Sequence, residues 1–271
     1  MAQRRRLDAE LVRRRLARSR EHASELVLAG RVSVAGSLAT KPATQVDPAV
    51  AIVLTPDDDD PGYASRGGHK LAGALDHFAA AERGGLAVEG RRALDAGAST
   101  GGFTDVLLRR GVAHVVAVDV GYGQLAWHLR QDPRVTVLER TNVRHLEPAR
   151  VAPPPDLVVA DLSFISLTLI LPALAAVSRD DAEHVLMVKP QFEVGRERLG
   201  SGGVVRDPAT RADAVRQVAD AALASGLGTA GVVASPLPGP SGNVEYFLWL
   251  RREAPPLDDA ALRRAVEEGP S

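Results

Sequence analysis

The 271-residue sequence predicts an α/β protein in which a mostly parallel, doubly wound sheet follows a small, basic α+β domain. Three observations predict it. Apolar runs of strand length, beginning near positions 93, 115, 135, 157 and 184, alternate with helix-length segments, the pattern of βαβ units. A glycine-rich bend, Asp95-Ala96-Gly97-Ala98-Ser99-Thr100-Gly101-Gly102-Phe103, closes the first of these runs and opens a helix. Charge is also divided along the chain: Lys and Arg outnumber Asp and Glu by 10 to 5 over residues 1–54, so that segment stands at +5 and the remainder at −6.

A hydrophobic content of 45 % with 25 % charged residues is that of a globular chain, long enough for one large core and a small satellite domain. The absence of Cys excludes disulfides, thiolate metal sites and cysteine nucleophiles, and with them methyl transfers that pass through a cysteine adduct of a pyrimidine ring. The basic start, Met-Ala-Gln-Arg-Arg-Arg, is not followed by the apolar core of a secretory signal. The longest apolar stretch, 162–177, is interrupted by Ser163, Ser166, Thr168 and Pro172 and is short for a bilayer span. A cytoplasmic protein without a membrane or metal partner is expected, and a monomer.

Residues 4–30 predict two helices. Leu7, Leu11 and Val12 form one apolar stripe, and Ala23, Leu26 and Val27 a second, capped by Ser19 and ended by Gly30. Arginines fill the other faces. Val32, Val34 and Leu38 predict a hairpin around 35–37, and Val46 with 52–54 a last strand, completing a domain over 1–55. The acidic, Pro- and Gly-bounded stretch 56–64 is the expected linker, and a second domain is expected over 65–252 with a C-terminal tail at 253–271. In the second domain a helix enters near Ser65 with Lys70 in its first turn and Leu71, Leu75 and Phe78 on one face. A helix over 103–110, one opened by Gly121-Tyr122-Gly123 and one over 208–224 are expected between the strands. A long polar loop is expected over 191–206, and the strands 231–234 and 244–250 close the sheet.

The glycine spacing discriminates between ligands. A dinucleotide turn needs Gly-x-Gly-x-x-Gly, but here Ser99 stands between glycines at 97 and 101; a P-loop needs Lys where Phe103 stands. Asp95 at one strand end suits a ligand carrying an ammonium group, and Asp119 at the next suits a ribose diol, a pair that fits S-adenosylmethionine. The alternative is that these are ordinary turn glycines. The expected cofactor-binding set is Asp95, Gly97, Ala98, Ser99, Thr100, Gly101, Gly102, Phe103, Asp119, Val120 and Asp161, with Asn142 toward the adenine edge.

Ligands of doubly wound sheets gather at the carboxyl ends of strands. Asp161 and Lys189 lie at such ends, and Lys70 and Glu245 can reach the same rim. Asp161-Leu162-Ser163-Phe164 lacks the Pro-Pro-aromatic sequence with which enzymes grip an exocyclic amine, so an alcohol is the better acceptor. Lys70, Asp161, Lys189 and Glu245 resemble the Lys-Asp-Lys-Glu tetrad of ribose 2'-O-methyltransferases of the FtsJ type, and Asp95-x-Gly97-Ala98-x-x-Gly101-Gly102 resembles their cofactor turn.

In the first domain Arg6-Leu7-Asp8, Leu16-Ala17-Arg18-Ser19-Arg20, Gly30-Arg31-Val32-Ser33-Val34-Ala35-Gly36 and Lys41-Pro42 resemble the small RNA-binding domain of ribosomal protein S-four. That likeness implies RNA contacts by Arg4, Arg6, Arg13, Arg14, Arg18, Arg20 and Lys41, to which Arg66 is added; the bland alternative is a solvated arginine-rich face. With Ser65-Arg66-Gly67-Gly68-His69-Lys70-Leu71, Asp119-Val120-Gly121-Tyr122-Gly123-Gln124-Leu125 and Lys189-Pro190-Gln191-Phe192-Glu193, the chain to about residue 250 resembles the TlyA family. The resemblance implies methylation of cytidine riboses in ribosomal RNA of both subunits. Where some relatives carry Arg-x-Trp-Val at the linker, this chain has Pro61-Gly62-Tyr63-Ala64. On this reading Lys189 is the general base, oriented by Asp161, with Lys70 placing the acceptor and Glu245 fixing a lysine. A non-catalytic RNA-binding assembly factor and a membrane-active hemolysin are the rival readings.

Overall fold

The computed structural model describes residues 4–17, 20–55, 61–81, 84–239 and 242–270. Arg18, Ser19 and residues 56–60 of the expected linker lie outside them. The chain divides into two units, Met1–Pro61 and Gly62–Ser271.

In the first unit, β1 (Arg5–Arg6) leads into α1 (Leu7–Arg13), followed by α2 (Arg20–Leu28), β2 (Val32–Val34), β3 (Ser37–Leu38), β4 (Gln45–Val46) and β5 (Ile52–Leu54). Leu7, Leu11, Ala23, Leu26 and Val27, the two predicted stripes, meet Val32 and Val46 in one small core. Residues 5–6 are a strand rather than the start of the helix, because they pair antiparallel with Gln45 and Val46. For the same reason Val46 and residues 52–54 are not one strand: β4 pairs with β1, and β5 pairs with β2.

The second unit contains α3 (Arg66–Ala79), β6 (Arg92–Ala96), α4 (Gly102–Arg109), β7 (His114–Val118), α5 (Trp127–Arg130), β8 (Val135–Leu138), α6 (Pro148–Val151), β9 (Leu157–Ala160), α7 (Leu171–Val177), β10 (Glu183–Val188), α8 (Pro190–Glu193), α9 (Pro208–Ala224), β11 (Gly228–Ala234), β12 (Tyr246–Arg251) and α10 (Asp259–Glu267). The sheet order is β11-β12-β10-β9-β6-β7-β8, parallel except for β12, which runs antiparallel to both neighbours. The central runs are largely apolar because period-2 alternation sends their residues to two buried faces, with Asp95 of β6 a buried acid among them. Leu94, Val116, Val158, Leu186 and Leu248 face one core, and Ala93, Val115, Leu157, Val185 and Phe247 the other.

Several elements differ from expectation. Helix α3 begins at Arg66, so Lys70 lies beyond its first turn; Gly67 and Gly68 let the helix start early against Ser65, Tyr63 and Gly102. Residues 121–123 do not open a helix, because carboxylates capture their amides: Gly121 N donates to Asp119 at 2.6 Å and Gly123 N to Glu139 at 2.7 Å. Residues 191–206 are not a loose polar loop. Glu193, Val194, Val204 and Val205 are buried, and Asn243 clasps the segment by accepting from Val205 N and donating to Gly203 O. The last segment, expected to be at most a short surface helix and a tail, does form a helix, α10, but one that buries Leu262 and Ala265 in the sheet's core.

Candidate active site

The strand order reverses between β6 and β9, where chain connections diverge and leave a crevice. Gly97 follows β6 and Asp161 follows β9, and Asp161 N donates to Ala96 O at 3.0 Å, so the strand pairing carries into the rim. Here close approach dictates glycine. Gly97 has φ +91°, and a Cβ on it would lie 2.4 Å from the Asp161 carbonyl oxygen. Gly101, at φ +99°, would drive a Cβ to 2.3 Å from the Leu129 side chain, so the bend closes into α4 only without one.

Around this bend the acids are held differently. Asp95 is fully buried; its Oδ2 accepts from Thr104 Oγ1 at 2.6 Å, and its Oδ1 has no hydrogen-bond partner among the described residues. Burial pushes its carboxyl up to about 7, against the hydrogen bond from Thr104, with the negative charge of Asp161 adding to the rise. Asp119 is half-buried and accepts from Ser99 N at 2.8 Å and from Gly121 N. A cleft beside it has an apolar floor of Ala117, Leu125 and Val137 and a polar edge of Gln124 and Glu139. An unpartnered buried carboxylate oxygen at one end of the bend and an acid beside an apolar cleft at the other fit the amino and nucleoside ends of S-adenosylmethionine.

Of the remaining expected cofactor residues, Ala98, Gly102 and Phe103 are buried in the packing beneath the bend, while Ser99, Thr100 and Val120 are exposed. Asn142 is exposed, and its Oδ1 accepts from Arg144 N at 3.0 Å, leaving its amide NH2 as the group available to a ligand.

The tetrad assembles as two ion pairs at this rim. Lys70 Nζ lies 2.5 Å from Glu245 Oε2, both side chains buried. Lys189 Nζ lies 2.6 Å from Asp161 Oδ1, in a pair that is 11 % and 27 % exposed. The register explains the convergence: Val188 lies opposite Tyr246, so the next residue of each strand beyond the pairing, Lys189 and Glu245, meet the rim together. Helix α3 closes the other side, with a Cβ position on Gly67 only 3.5 Å from Asp161 Oδ2 and Lys70 one turn further on.

Thr104, Ser163 and Glu193 escaped the sequence reading. Lys189 Nζ donates to Ser163 Oγ at 3.0 Å, and Glu193 accepts from Leu167 N at 2.9 Å and Ser166 Oγ at 2.5 Å. A hydroxyl two residues past a strand-end acid was the available signal for Ser163. Thr104 gave none, being one polar residue in an otherwise apolar helix face. Phe164 is 91 % exposed and its ring lies 5.1 Å from that of Phe192.

In the first unit, the buried Asp8 holds Arg6 at 2.8 Å and Arg20 at 3.0 Å, and the buried Glu10 holds Arg13 at 2.6 Å and Arg14 at 2.7 Å. The hydrogen bond from Arg6 is the main cause holding Asp8 down at about 2, and that from Arg13 does the same for Glu10. Arg14 also donates to the carbonyls of Pro48 and Val50, which makes it an internal strut. Arg4, Arg6, Arg13, Arg20 and Lys41 are exposed; Arg66, in the second unit, donates to Pro238 O at 3.0 Å. Among the described residues no helix is long and apolar enough to cross a membrane, and no group of three or more His, Asp or Glu is gathered to hold a metal ion.

Fold, bend and tetrad define an FtsJ-like methyltransferase, and the chain belongs to that family: its model matches residues 63–252, and that of the S4 domain matches 5–52. Within it, the chain is a member of the TlyA group. It is 59 % identical, over all of both chains, to the 16S/23S rRNA (cytidine-2'-O)-methyltransferase TlyA of Mycobacterium tuberculosis. It is 35 % identical to Hemolysin A of Brachyspira hyodysenteriae, over 84 % of this chain and 92 % of that one. A solved structure from Streptococcus thermophilus, described as a hemolysin, superposes with a TM-score of 0.78 at 38 % identity, covering 99 % of this chain and 96 % of that one.

Proposed function

We propose that the protein transfers the methyl group of S-adenosylmethionine to the 2'-hydroxyl of cytidine in ribosomal RNA of the small and large subunits, in the cytoplasm. The observation that carries the chemistry is the meeting of the Lys189–Asp161 and Lys70–Glu245 pairs at the rim that holds the glycine bend. The S4 domain and the identity to the M. tuberculosis enzyme support the RNA substrate.

When bound, S-adenosylmethionine supplies an electrophilic methyl on a sulfonium. Asp95 and Asp119 hold its two polar ends, the first through the oxygen that Thr104 leaves free. Asp161 holds the Lys189 amine against the rim, where it receives the proton of the ribose hydroxyl. Glu245 holds the Lys70 ammonium, which orients that hydroxyl or its neighbouring phosphate. Aligning the two reactants makes the step effectively unimolecular, and proton removal in the transition state adds on the order of 100-fold or more. An amine methyltransferase grips its acceptor with a Pro-Pro-aromatic loop; Leu162-Ser163-Phe164 offers no such grip.

The test is a map of ribose methylation on ribosomal RNA from cells with the active protein and from cells carrying an inactive variant. Cytidine 2'-O-methyl groups present only in the first support the proposal; identical maps would overturn it.

A further inference from the structure

Among the described residues, Lys189 Nζ forms an ion pair with Asp161 Oδ1 at 2.6 Å and donates a hydrogen bond to Ser163 Oγ at 3.0 Å, and the mechanism above uses only the first. Both acceptors come from the same stretch after β9, and Ser163 is exposed where Asp161 is partly covered. A neutral primary amine carries two N–H bonds and one lone pair, arranged tetrahedrally. One N–H given to Ser163 Oγ fixes the rotation about Cε–Nζ, and the negative charge of Asp161 draws the second N–H to its side, which leaves the lone pair a single direction. Asp161 alone, acting by charge at 2.6 Å without a directional hydrogen bond, would leave the rotation about Cε–Nζ open.

The geometry points to Ser163 as a positioning residue for the base, an inference that rests on the methylation reading above. Its hydroxyl is the second anchor that aims the Lys189 lone pair at the ribose oxygen, and it then leads the captured proton to solvent. As the bond from O2' to the methyl carbon forms, the carbon–sulfur bond breaks with its electron pair left on sulfur, and the O2' proton moves to Nζ. The resulting ammonium passes a proton to Ser163 Oγ while Ser163 hands its own hydroxyl proton to water, which restores the neutral amine.

The loop is built to hold a hydroxyl in place. Phe164 has φ +65°, a left-handed turn immediately after Ser163 that a bulky residue adopts only under constraint. Three residues further, Glu193 ties Ser166 and Leu167 to α8, which begins directly after Lys189. The segments carrying the amine and its second anchor are therefore braced against each other.

The experiment compares the full-length wild type with Ser163→Ala and Ser163→Thr, using ribosomal subunits as substrate and calorimetry with S-adenosylmethionine. Expected for Ser163→Ala is a fall in kcat of about tenfold, a fraction of what a positioned base contributes, with KM for the RNA, cofactor affinity and Tm unchanged. Ser163→Thr, which keeps the hydroxyl, restores most of the rate. Wild-type kcat in Ser163→Ala overturns the inference, as does a Thr variant as slow as the Ala variant, or a loss tracked by lower cofactor affinity or Tm. Wild-type protein that leaves ribose unmethylated would overturn the methylation reading as well, which distinguishes the two failures.

Discussion

Lys70 Nζ and Glu245 Oε2 stand 2.5 Å apart although 175 residues separate them in the chain. Both side chains are buried, so each ion has exchanged water for the other. Breaking such a pair from one side leaves an uncompensated buried charge, which costs about 3–5 kcal/mol. Glu245→Ala and Lys70→Ala are each expected to lose that much stability in denaturant unfolding. The double variant should lose less than the sum, and strict additivity would show that the pair is not coupled.

Lys189→Ala is expected to abolish methyl transfer while leaving cofactor affinity near wild type. The amine is held by Asp161 and Ser163, whereas Asp95 takes Thr104 and Asp119 the amides of Ser99 and Gly121. Substantial residual turnover, measured with ribosomal subunits, would remove Lys189 from the base role.

Asp95 titrates at about 7 in the folded protein, against an ordinary carboxyl near 3.8. Between those values the folded state holds a proton that the unfolded state has lost, so its contribution to stability is present at low pH and fades as pH rises through 7. His184 runs the opposite way. Burial holds it at about 4, so its contribution is present above pH 6.5 and lost as pH falls through 4. The difference between wild type and Asp95→Asn isolates the first effect. Affinity for S-adenosylmethionine should rise with pH through 7 in the wild type, as the carboxylate that pairs with the ligand's ammonium ionises, and stay flat in Asp95→Asn. A flat wild-type profile would separate Asp95 from the ligand.

Arg6, Arg13 and Arg20 are exposed while held by Asp8 and Glu10, whereas Arg14 spends its donors on Glu10 and two carbonyls. Arg6→Ala and Arg20→Ala should each weaken binding to ribosomal RNA and lower the slope of log affinity against log salt by about one. Arg14→Ala should leave that slope alone and lower the stability of the first unit. Equal salt slopes for all three variants and the wild type would mean the arginine face does not meet phosphates.

Asp8 is held down at about 2, chiefly by the Arg6 hydrogen bond, so its contribution to stability is present above pH 4 and lost as pH falls toward 2. Asp8→Asn should flatten the acid limb of the unfolding profile; an unchanged limb would show that the contact contributes nothing.

Much of the fold was legible because burial on two faces writes itself as uninterrupted apolar runs, as in Val115-Val116-Ala117-Val118 and Val185-Leu186-Met187-Val188. Helix α9 was readable to the residue, since Asp207 caps it and Pro208 opens it. Misreadings fell where a side chain far away in sequence decided the backbone. Asp119 and Glu139 took the amides of Gly121 and Gly123 from a helix, Asn243 pinned residues 203–205, and Leu262 found a place in a core that a tail's composition does not announce.

By themselves the residues determined which chemistries were available: no thiol, a bend shaped for close approach, and acids and lysines at strand ends. Those are properties of side-chain type and local spacing. Only the tertiary structure decided which acid serves which lysine, that Thr104 leaves one oxygen of Asp95 free, and that Ser163 touches the amine. Such pairings depend on sheet order and register, and these are set by how whole layers pack.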